Sequence, residues 1–347
     1  MLLDQLNNIV KSAKLPIIKR VENKDLWEET FLRLPYKPVA YSNASLDYQL
    51  VYQQGHGGSW FDLSVIIFWN NKPAALWPLS LSMNDGVAKL TSQGLPVLPP
   101  VFVSNCPLIS RKRIIKSCLE LANSIVIDSQ ISEWRSGESF TNSIGMSEWH
   151  MQSMAHGAVC NLNHECYIDI QLDISEIKKN FRKSYKSLIV SGQNLWSVGV
   201  FDSDGNYQVW QEFRALHCKV AGRVTRSVET WNLHHQEIKS KRAFLVWLRN
   251  SKGEMVGGGF FNVTTDEGLY AVAAYDRTLF DKPLGHLVQY RAITELKKLG
   301  VRWYKIGARP YIQDSTKPTD KEISIGKFKQ GFATHIFPYY CLTHKAV

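Results

Sequence analysis

The chain has 347 residues, a hydrophobic fraction of 44% and a charged fraction of 21%, values typical of a globular protein of about two domains. Its 41 basic and 31 acidic residues leave a formal net charge of +10, which favours an anionic partner such as a phosphate-bearing small molecule, RNA or an anionic membrane face. No apolar run approaches the roughly 20 residues that cross a bilayer, and the six cysteines show neither a C-x-x-C pair nor a zinc-type spacing. We therefore expect a cytoplasmic protein with reduced thiols, no bound metal, no secretory signal and no transmembrane segment.

The first half of the sequence alternates β-prone runs with turn residues and then turns helical. Asn70-Asn71 and Asp85-Gly86 mark two tight turns. The pattern predicts helices over residues 3–14, 26–34 and 111–126, strands over 63–69, 74–81 and 87–92, and an extended segment rich in proline over 95–102. Residues 129–163 are the least regular region, and we expect a connector with short elements there.

The second half opens with a strand and a basic helix. The strand is predicted over residues 167–172 and the helix over 176–190, capped by Asp173 or Ser175. The basic side chains of this helix are Lys178, Lys179, Arg182, Lys183 and Lys186. A charged helix face is usually solvated, but this one could also meet a nucleotide diphosphate or an RNA backbone. Two further helices are predicted over residues 207–220 and 228–240.

A run of three strands and one crossover follows. The strands are predicted over residues 243–248, 255–263 and 269–275, a polar loop over 276–283, a helix over 284–299 that Gly300 ends, and a last strand over 301–306. A strand–loop–helix–strand unit of this length is a parallel crossover. Ligands commonly bind beyond the carboxyl ends of such strands.

The turns of this region occur in the same order as those of the first half. Asn250 and Gly268 stand at a spacing similar to that of Asn70 and Gly86. One interpretation is a diverged internal repeat of two similar domains. The other is that any two β-meanders share turns of this kind.

The segment Gly326-Lys327-Phe328-Lys329-Gln330-Gly331-Phe332 carries an FK-x-x-F motif near the C-terminus. Together with the hairpins and crossover before it, this motif resembles FemABX-type aminoacyltransferases and related proteins of the GNAT acyltransferase superfamily. The resemblance implies an α/β fold of two GNAT-like domains in tandem, with mixed central sheets flanked by helices. We place the degenerate N-terminal domain at residues 1–160 and the catalytic domain at residues 161–347.

The resemblance also suggests which residues carry the chemistry. In FemABX-type enzymes the lysine of the motif stabilises the oxyanion, and Lys329 matches it by position and by its neighbour Phe328. Tyr275 and Asp276 end the third strand, where a GNAT protein splays its strands, and we predict a hydrogen-bond donor and a proton acceptor there. The alternatives are a surface lysine beside a packed aromatic and a solvated turn.

Further residues are candidates for substrate binding. Gly285 and His286 open the crossover helix, a geometry that suits an anion, although Lys282-Pro283-Leu284-Gly285-His286 departs from the usual coenzyme A loop of GNAT proteins. Arg182, Lys183, Arg223 and Arg226 could grip a phosphate or carboxylate. Lys305 and Arg309 end the last crossover strand and could line the same cleft. Each set has an ordinary alternative as a helix start, a helix connection or a solvated face.

The function expected from this resemblance is N-acyl transfer to an amino group of a cell-envelope or surface-glycan precursor, without a covalent enzyme intermediate. The donor would be acyl-CoA or aminoacyl-tRNA, with no tightly bound cofactor. The acceptor would be an amino sugar or a nucleotide-linked amine. The prediction allows peripheral contact with a membrane and does not include DNA as a partner. The alternative is a catalytically inactive protein of the same fold that binds RNA or another anionic partner. Metal-dependent hydrolysis is disfavoured because His234-His235 lacks a ligand spacing.

Overall fold

The computed structural model describes residues 15–138 and 146–345, which fall into two compact units. The first unit comprises the described residues up to Asn163 together with those from Pro338 onward, and the second runs from His164 to Phe337. The predicted helix over residues 3–14 lies outside the described residues. The sequence-based division counted residues 338–345 with the second domain. In the structure Tyr340–Lys345 pairs with a strand of the first unit, Glu133–Glu138, and belongs there.

The first unit contains two small sheets and three longer helices among its described elements. Its elements are β1 (Ile17–Lys19), α1 (Lys24–Leu32), α2 (Asn43–Gln54), β2 (Ser59–Asp62), β3 (Val65–Trp69), β4 (Lys72–Trp77), β5 (Ser80–Asn84), β6 (Val87–Thr91), β7 (Val101–Phe102), α3 (Leu108–Asp128), β8 (Glu133–Glu138), α4 (Glu148–Ala155) and the start of β9 (Val159–Asp169). One sheet has the order β1-β3-β4-β7 and the other β2-β5-β6.

Local sequence accounts for the hairpins of this unit. Asn70 and Asn71 have φ of 49° and 58°, and Asp85 and Gly86 have φ of 50° and 77°. Asn, Asp and Gly tolerate this left-handed region, which the two-residue turns of tight hairpins require. The predicted hairpins are therefore confirmed. The short elements predicted within the connector over residues 129–163 are present as β8 and α4, each of which buries a tryptophan (Trp134 and Trp149).

The second unit is built on one mixed sheet with helices on both faces. Its elements are the end of β9, α5 (Ile174–Asn180), α6 (Lys183–Leu195), β10 (Ser197–Phe201), α7 (Tyr207–Ala221), α8 (Val228–Lys239), β11 (Ala243–Arg249), β12 (Met255–Val263), β13 (Glu267–Tyr275), α9 (Leu284–Lys298), β14 (Trp303–Ala308), α10 (Asp320–Gln330) and the start of β15 (His335–Lys345). The strand order is β10-β11-β12-β13-β14-β9.

Strand β11 shows how this sheet buries both faces. Ala243 and Leu245 lie in the cluster formed with α7 and α8, whereas Phe244 and Val246 lie in the cluster formed with α6 and α9. Alternate side chains of a strand point to opposite faces, so the continuous apolar run of β11 follows from its central position. The predicted crossover is confirmed, because β13 and β14 are parallel and α9 connects them.

The basic helix predicted over residues 176–190 is two helices. A capping box of Asp173 and Glu176 starts α5, which confirms the predicted cap. The chain leaves the helix at Phe181 and Arg182, where ψ is 141° and 134°. The Arg182 N–H donates to the Gly331 carbonyl at 2.8 Å, a tertiary contact that competes with the helical hydrogen bond.

Candidate active site

The central feature of the second unit is the separation of β13 from β14. Their parallel ladder joins Glu267 to Trp303 and ends where Leu269 pairs with Lys305. Beyond this point β13 continues beside β12 as far as Tyr275, and β14 continues beside β9 as far as Ala308. The carboxyl ends of the two strands therefore diverge. The residues that follow them flank an opening at this edge of the sheet.

Lys329 lies in the last turn of α10 and directs its ammonium toward the end of β14. A Cβ built on Gly307 would lie 2.8 Å from Lys329 Nζ, so the ammonium rests against the β14 backbone. Burial lowers the pKa of Lys329, while the nearby Cys166 and Glu165 act in the opposite direction and Lys305 lowers it further. In the described parts of the chain, no acidic side chain forms an ion pair with Lys329. The site thus holds a largely buried cation that forms no ion pair with the described residues, although the Glu165 carboxylate is close enough to act on its pKa.

The remainder of the FK motif fixes α10 in place. Thr319 and Glu322 form a capping box at the start of the helix. Phe332 is fully buried, and the Phe328 and Phe332 ring centroids lie 5.4 Å apart. The motif therefore combines two aromatic anchors with the lysine between them.

Glycines at both ends of this contact allow close approach. A Cβ on Gly326 would lie 2.7 Å from Pro310, and one on Gly331 would overlap the Tyr185 ring. These glycines are explained by packing, since a methyl on Gly326 would push α10 away from the end of β14 and one on Gly331 would push it away from α6.

Arg182 and Tyr185 bind the carboxyl end of α10. Arg182 Nη2 donates to the Lys327 carbonyl at 3.1 Å, and the Tyr185 hydroxyl donates to the Phe328 carbonyl at 3.3 Å. A guanidinium at the last carbonyls of a helix also interacts favourably with the helix dipole. Arg182, predicted to bind substrate, therefore holds the lysine-bearing helix. The neighbouring Lys183 is exposed at the start of α6.

Gly285 and His286 lie under the same helix. A Cβ on Gly285 would lie 3.0 Å from the Phe328 ring, so this part of the first turn of α9 is covered by an aromatic side chain. The His286 ring meets Tyr185 at 4.5 Å and Phe328 at 5.2 Å between centroids. Burial, assisted by the charge of Arg182, lowers the pKa of His286 to about 4, and the imidazole is neutral at pH 7. Gly285 and His286 are therefore packed against Phe328 of α10.

Tyr275 and Asp276 stand on the opposite side of the opening, at the end of β13. The Tyr275 hydroxyl lies 3.0 Å from that of Tyr270, and burial raises the pKa of Tyr275 well above its ordinary range, so the hydroxyl stays protonated. Asp276 accepts from the Thr278 hydroxyl at 2.8 Å and from Lys219 at 3.1 Å. The Thr278 hydrogen bonds, with help from Lys219, lower the pKa of Asp276, which makes it a weak base.

Lys305 and Arg309 line the β14 side together with Glu165, which no sequence pattern indicates. Lys305 pairs with Glu165 of β9 at 2.8 Å, and Arg309 Nε donates to Gln330 of α10 at 2.6 Å. Glu165 contributes because β9 lies next to β14, a pairing between segments far apart in sequence. Without the sheet order, no local signal identifies it.

Arg223 and Arg226 lie in the connection between α7 and α8. Arg223 is exposed, whereas Arg226 contacts the His217 ring at 3.0 Å and stacks on Trp231 at 5.6 Å. Burial, with a contribution from Arg226, lowers the pKa of His217 to about 4. An open groove of about 560 Å³ runs beside them, lined by Gln211, Arg214, Ala215, Cys218, Val224, Arg226, Ser227, Val228 and Trp231.

The structure thus brings most of the predicted residues into two groups. The first group consists of residues on α10 or packed around it: Phe328, Lys329, Arg182, Gly285, His286, Lys305 and Arg309. The second group, Tyr275 and Asp276, ends the facing strand, and the Lys219–Asp276 pair links that strand to α7. Among residues 15–138 and 146–345, no group of histidine, cysteine and acidic side chains could hold a metal ion. Within the same ranges, every helix is too short or too polar to span a bilayer.

Comparison with known proteins gives matches at the level of structure. No protein-family model matches the chain, and no curated protein matches its sequence. FemX matches with a TM-score of 0.66 and 11% identity, over 94% of this chain and 97% of that one. A tandem GNAT protein from the clavulanic acid biosynthesis pathway matches with a TM-score of 0.52 and 11% identity, over 96% and 99% of the two chains.

The L-PGS protein from Bacillus licheniformis also matches, with a TM-score of 0.52 and 14% identity, over 85% of this chain and 90% of that one. At such identities these comparisons show the fold. The chain has a tandem GNAT fold of the FemX-like kind, and the predicted fold class and resemblance are confirmed.

Proposed function

We propose that this protein is an N-acyltransferase whose second unit carries out direct acyl transfer to an amine. The observation that carries the proposal is the position of Lys329, a largely buried ammonium that rests on Gly307 at the opened end of β14 and has no ion-pair partner among the described residues. A fixed cation in a site of low dielectric stabilises the charge that develops on a carbonyl oxygen under attack.

The reaction needs few protein groups. The amine nitrogen attacks the donor carbonyl, a C–N bond forms, and the C–S or C–O bond to the leaving group breaks. Lys329 stabilises the tetrahedral oxyanion, and the Tyr275 hydroxyl donates a hydrogen bond from the facing strand. Since the pKa of Asp276 is lowered, we assign Asp276 to orienting the amine and passing its proton through water to solvent.

Fewer contacts of the structure indicate where the acceptor substrate binds. The arginines beside the α7–α8 groove, Arg214 and Arg226, suit an acceptor with a carboxylate or phosphate, and Arg223 is exposed next to them. We propose an amino sugar or nucleotide-linked amine of a cell-envelope precursor, on the basis of the FemX-like fold and the net charge of +10.

Two donors are to be tested for this chain. The tandem GNAT match is described with respect to acetyl-CoA, which supports acyl-CoA. The resemblance of the FK motif to FemABX-type enzymes is the basis for testing aminoacyl-tRNA beside it.

The test compares the full chain with Lys329→Met and with Lys327→Met, using labelled acetyl-CoA and aminoacyl-tRNA and a panel of amino sugars and nucleotide amino sugars. Lys327 lies on the same helix with an exposed side chain, which makes it a matched control for loss of charge. We expect Lys329→Met to lower kcat by about 100-fold to 1000-fold, the usual cost of removing an oxyanion donor. Lys327→Met keeps wild-type turnover.

Equal turnover by wild type and Lys329→Met would contradict the assigned role. RNA binding by a wild-type protein that transfers no acyl group from either donor would instead favour the inactive, anion-binding alternative.

A further inference from the structure

The first unit exposes an apolar tip at the start of α3. Leu108 and Ile109, the first two residues of the helix, are 72% and 69% exposed. Most large apolar side chains of the unit are buried in its core, and consecutive exposed ones are the kind of surface that marks an interaction site.

The tip is held by specific contacts. Arg111 Nε donates to the Cys106 carbonyl at 2.8 Å, and its guanidinium lies 5.6 Å from the centre of the Phe102 ring. These contacts fix the turn that precedes α3. Leu108 and Ile109 are therefore presented to solvent by a defined structure.

Helix α4, which contacts the first turns of α3, exposes two methionines. Gln152 Nε2 donates to the Lys112 carbonyl at 3.0 Å, and Lys112 pairs with Glu148 at 3.4 Å, which attaches α4 to the first turns of α3. Met151 and Met154, one turn apart on α4, are 47% and 44% exposed. Methionine side chains are flexible and polarizable, so they adapt to an uneven apolar partner.

Basic residues continue the face of α3 that begins with Ile109. Lys112, Arg113 and Lys116 follow it at the spacing of one helix face, and all three are exposed. Residues 107–119 contain no acidic side chain. Arg113 and Lys116 form no ion pair with the described residues, and their charges are available to an anionic surface.

We propose that this surface, formed by Leu108, Ile109, Met151, Met154, Arg113 and Lys116, docks the protein on a bilayer that contains anionic lipid. Apolar side chains inserted at the interface, with lysine and arginine beside them at the headgroups, are the features of a helix that binds a membrane surface. A second copy of the chain fits less well, because two such surfaces would bring like charges together.

The test is flotation of the full chain with vesicles of phosphatidylcholine alone and of phosphatidylcholine with about one third phosphatidylglycerol. We expect binding to the anionic vesicles that weakens with salt. Leu108→Glu with Ile109→Glu lowers the partition coefficient by about tenfold or more, because two inserted apolar side chains become charged. Arg113→Gln with Lys116→Gln lowers it by about tenfold or more and flattens the salt dependence.

Phe280→Glu with Ile312→Glu is the matched control, since these side chains of the second unit are 65% and 71% exposed and lie outside the proposed surface. It binds vesicles as wild type does, and all variants keep the wild-type circular dichroism and unfolding midpoint. The proposal is overturned if the wild type ignores anionic vesicles, or if Leu108→Glu with Ile109→Glu binds them unchanged. It is also overturned if that variant converts a dimer to a monomer without vesicles, which would make the surface a contact between copies.

Discussion

Two helices, one from each unit, differ in what they place against the strand that precedes them in the chain. In the second unit α10 brings Lys329 against Gly307 of β14. In the first unit α4 buries Trp149, which donates from Nε1 to the Ser136 hydroxyl of β8 at 3.2 Å. The contact is made by a cation in the second unit and by an aromatic ring in the first.

The surroundings of Ser136 extend this contrast. Its hydroxyl lies 2.9 Å from His344 Nε2, and the His344 ring stacks on Trp134 at 3.7 Å between centroids. Burial lowers the pKa of His344 to about 4, so the imidazole is neutral at pH 7. A serine beside a histidine suggests nucleophilic chemistry, but here both are enclosed by tryptophan. A helix after a strand occurs in both units, and the side chains that it carries decide what chemistry is possible there. We therefore expect acyl transfer at Lys329 and none at Trp149.

The difference between the two units would disappear if Trp149 took part in acyl transfer. We expect Trp149→Ala to lower the free energy of unfolding by about 3–5 kcal/mol, the usual cost of removing a buried tryptophan. Acyl transfer per folded molecule stays the same, because α10 is unaffected. Urea denaturation followed by turnover in native buffer measures both quantities, with the exposed Val87→Ala as the control. A stable variant that has lost its activity would assign chemistry to the first unit.

A substitution at Gly307 tests the contact between Lys329 and β14 in the second unit. This residue has φ of 118°, and an added methyl would lie 2.8 Å from Lys329 Nζ. We expect Gly307→Ala to lower kcat by about 100-fold, since the oxyanion donor is displaced from β14. Backbone strain alone costs about 1–3 kcal/mol of stability.

Gly253→Ala separates these two effects. Gly253 has φ of 81° in a hairpin turn, with no atom within 4 Å of the added methyl. It therefore reproduces the strain and leaves Lys329 in place. A comparable loss of kcat in both variants would point to general destabilisation rather than to displacement of the lysine.

Arg182 allows a smaller and more specific test. Because it binds the end of α10 rather than the opening, we expect Arg182→Ala to lower kcat by about tenfold while KM stays unchanged, the pattern of a lost transition-state interaction. Lys183→Ala removes an exposed charge one residue away and changes neither constant. A rise in KM for Arg182→Ala at constant kcat would restore the substrate-binding role predicted from the sequence.

Sequence reasoning succeeded where the pattern is local. The hairpins at Asn70 and Asp85, the crossover of β13, α9 and β14, and the cap at Asp173 all follow from turn residues and periodicity. It failed where distant segments decide the outcome. The break at Arg182 depends on the Gly331 carbonyl, which no helical pattern around residue 182 reveals.

The same distinction applies within the candidate site. The FK motif identified Lys329 from its neighbours in sequence. The partners that set its environment, Gly307 and Glu165, come from β14 and β9 and are visible only after the strands are ordered. Arg182 was selected for its charge, which does not distinguish a ligand contact from a helix cap, and its substrate-binding role stays a prediction beside its contact with α10.

The smallest expected effect is a shift in the pH profile, which reports the charge of Lys329 directly. Burial lowers the pKa of this lysine, so the ammonium loses its proton at a lower pH than a free lysine, and activity should fall on the alkaline side earlier than a pKa near 10.4 predicts. Glu165 opposes this shift, and Glu165→Gln removes its negative charge and leaves Lys305 without this partner. Both changes lower the pKa of Lys329 further, and the alkaline limb of kcat moves to lower pH. Glu254→Gln, in an exposed turn of the same unit, leaves the limb in place. A limb that moves to higher pH, or stays fixed in Glu165→Gln, would show that the titrating group is not this lysine.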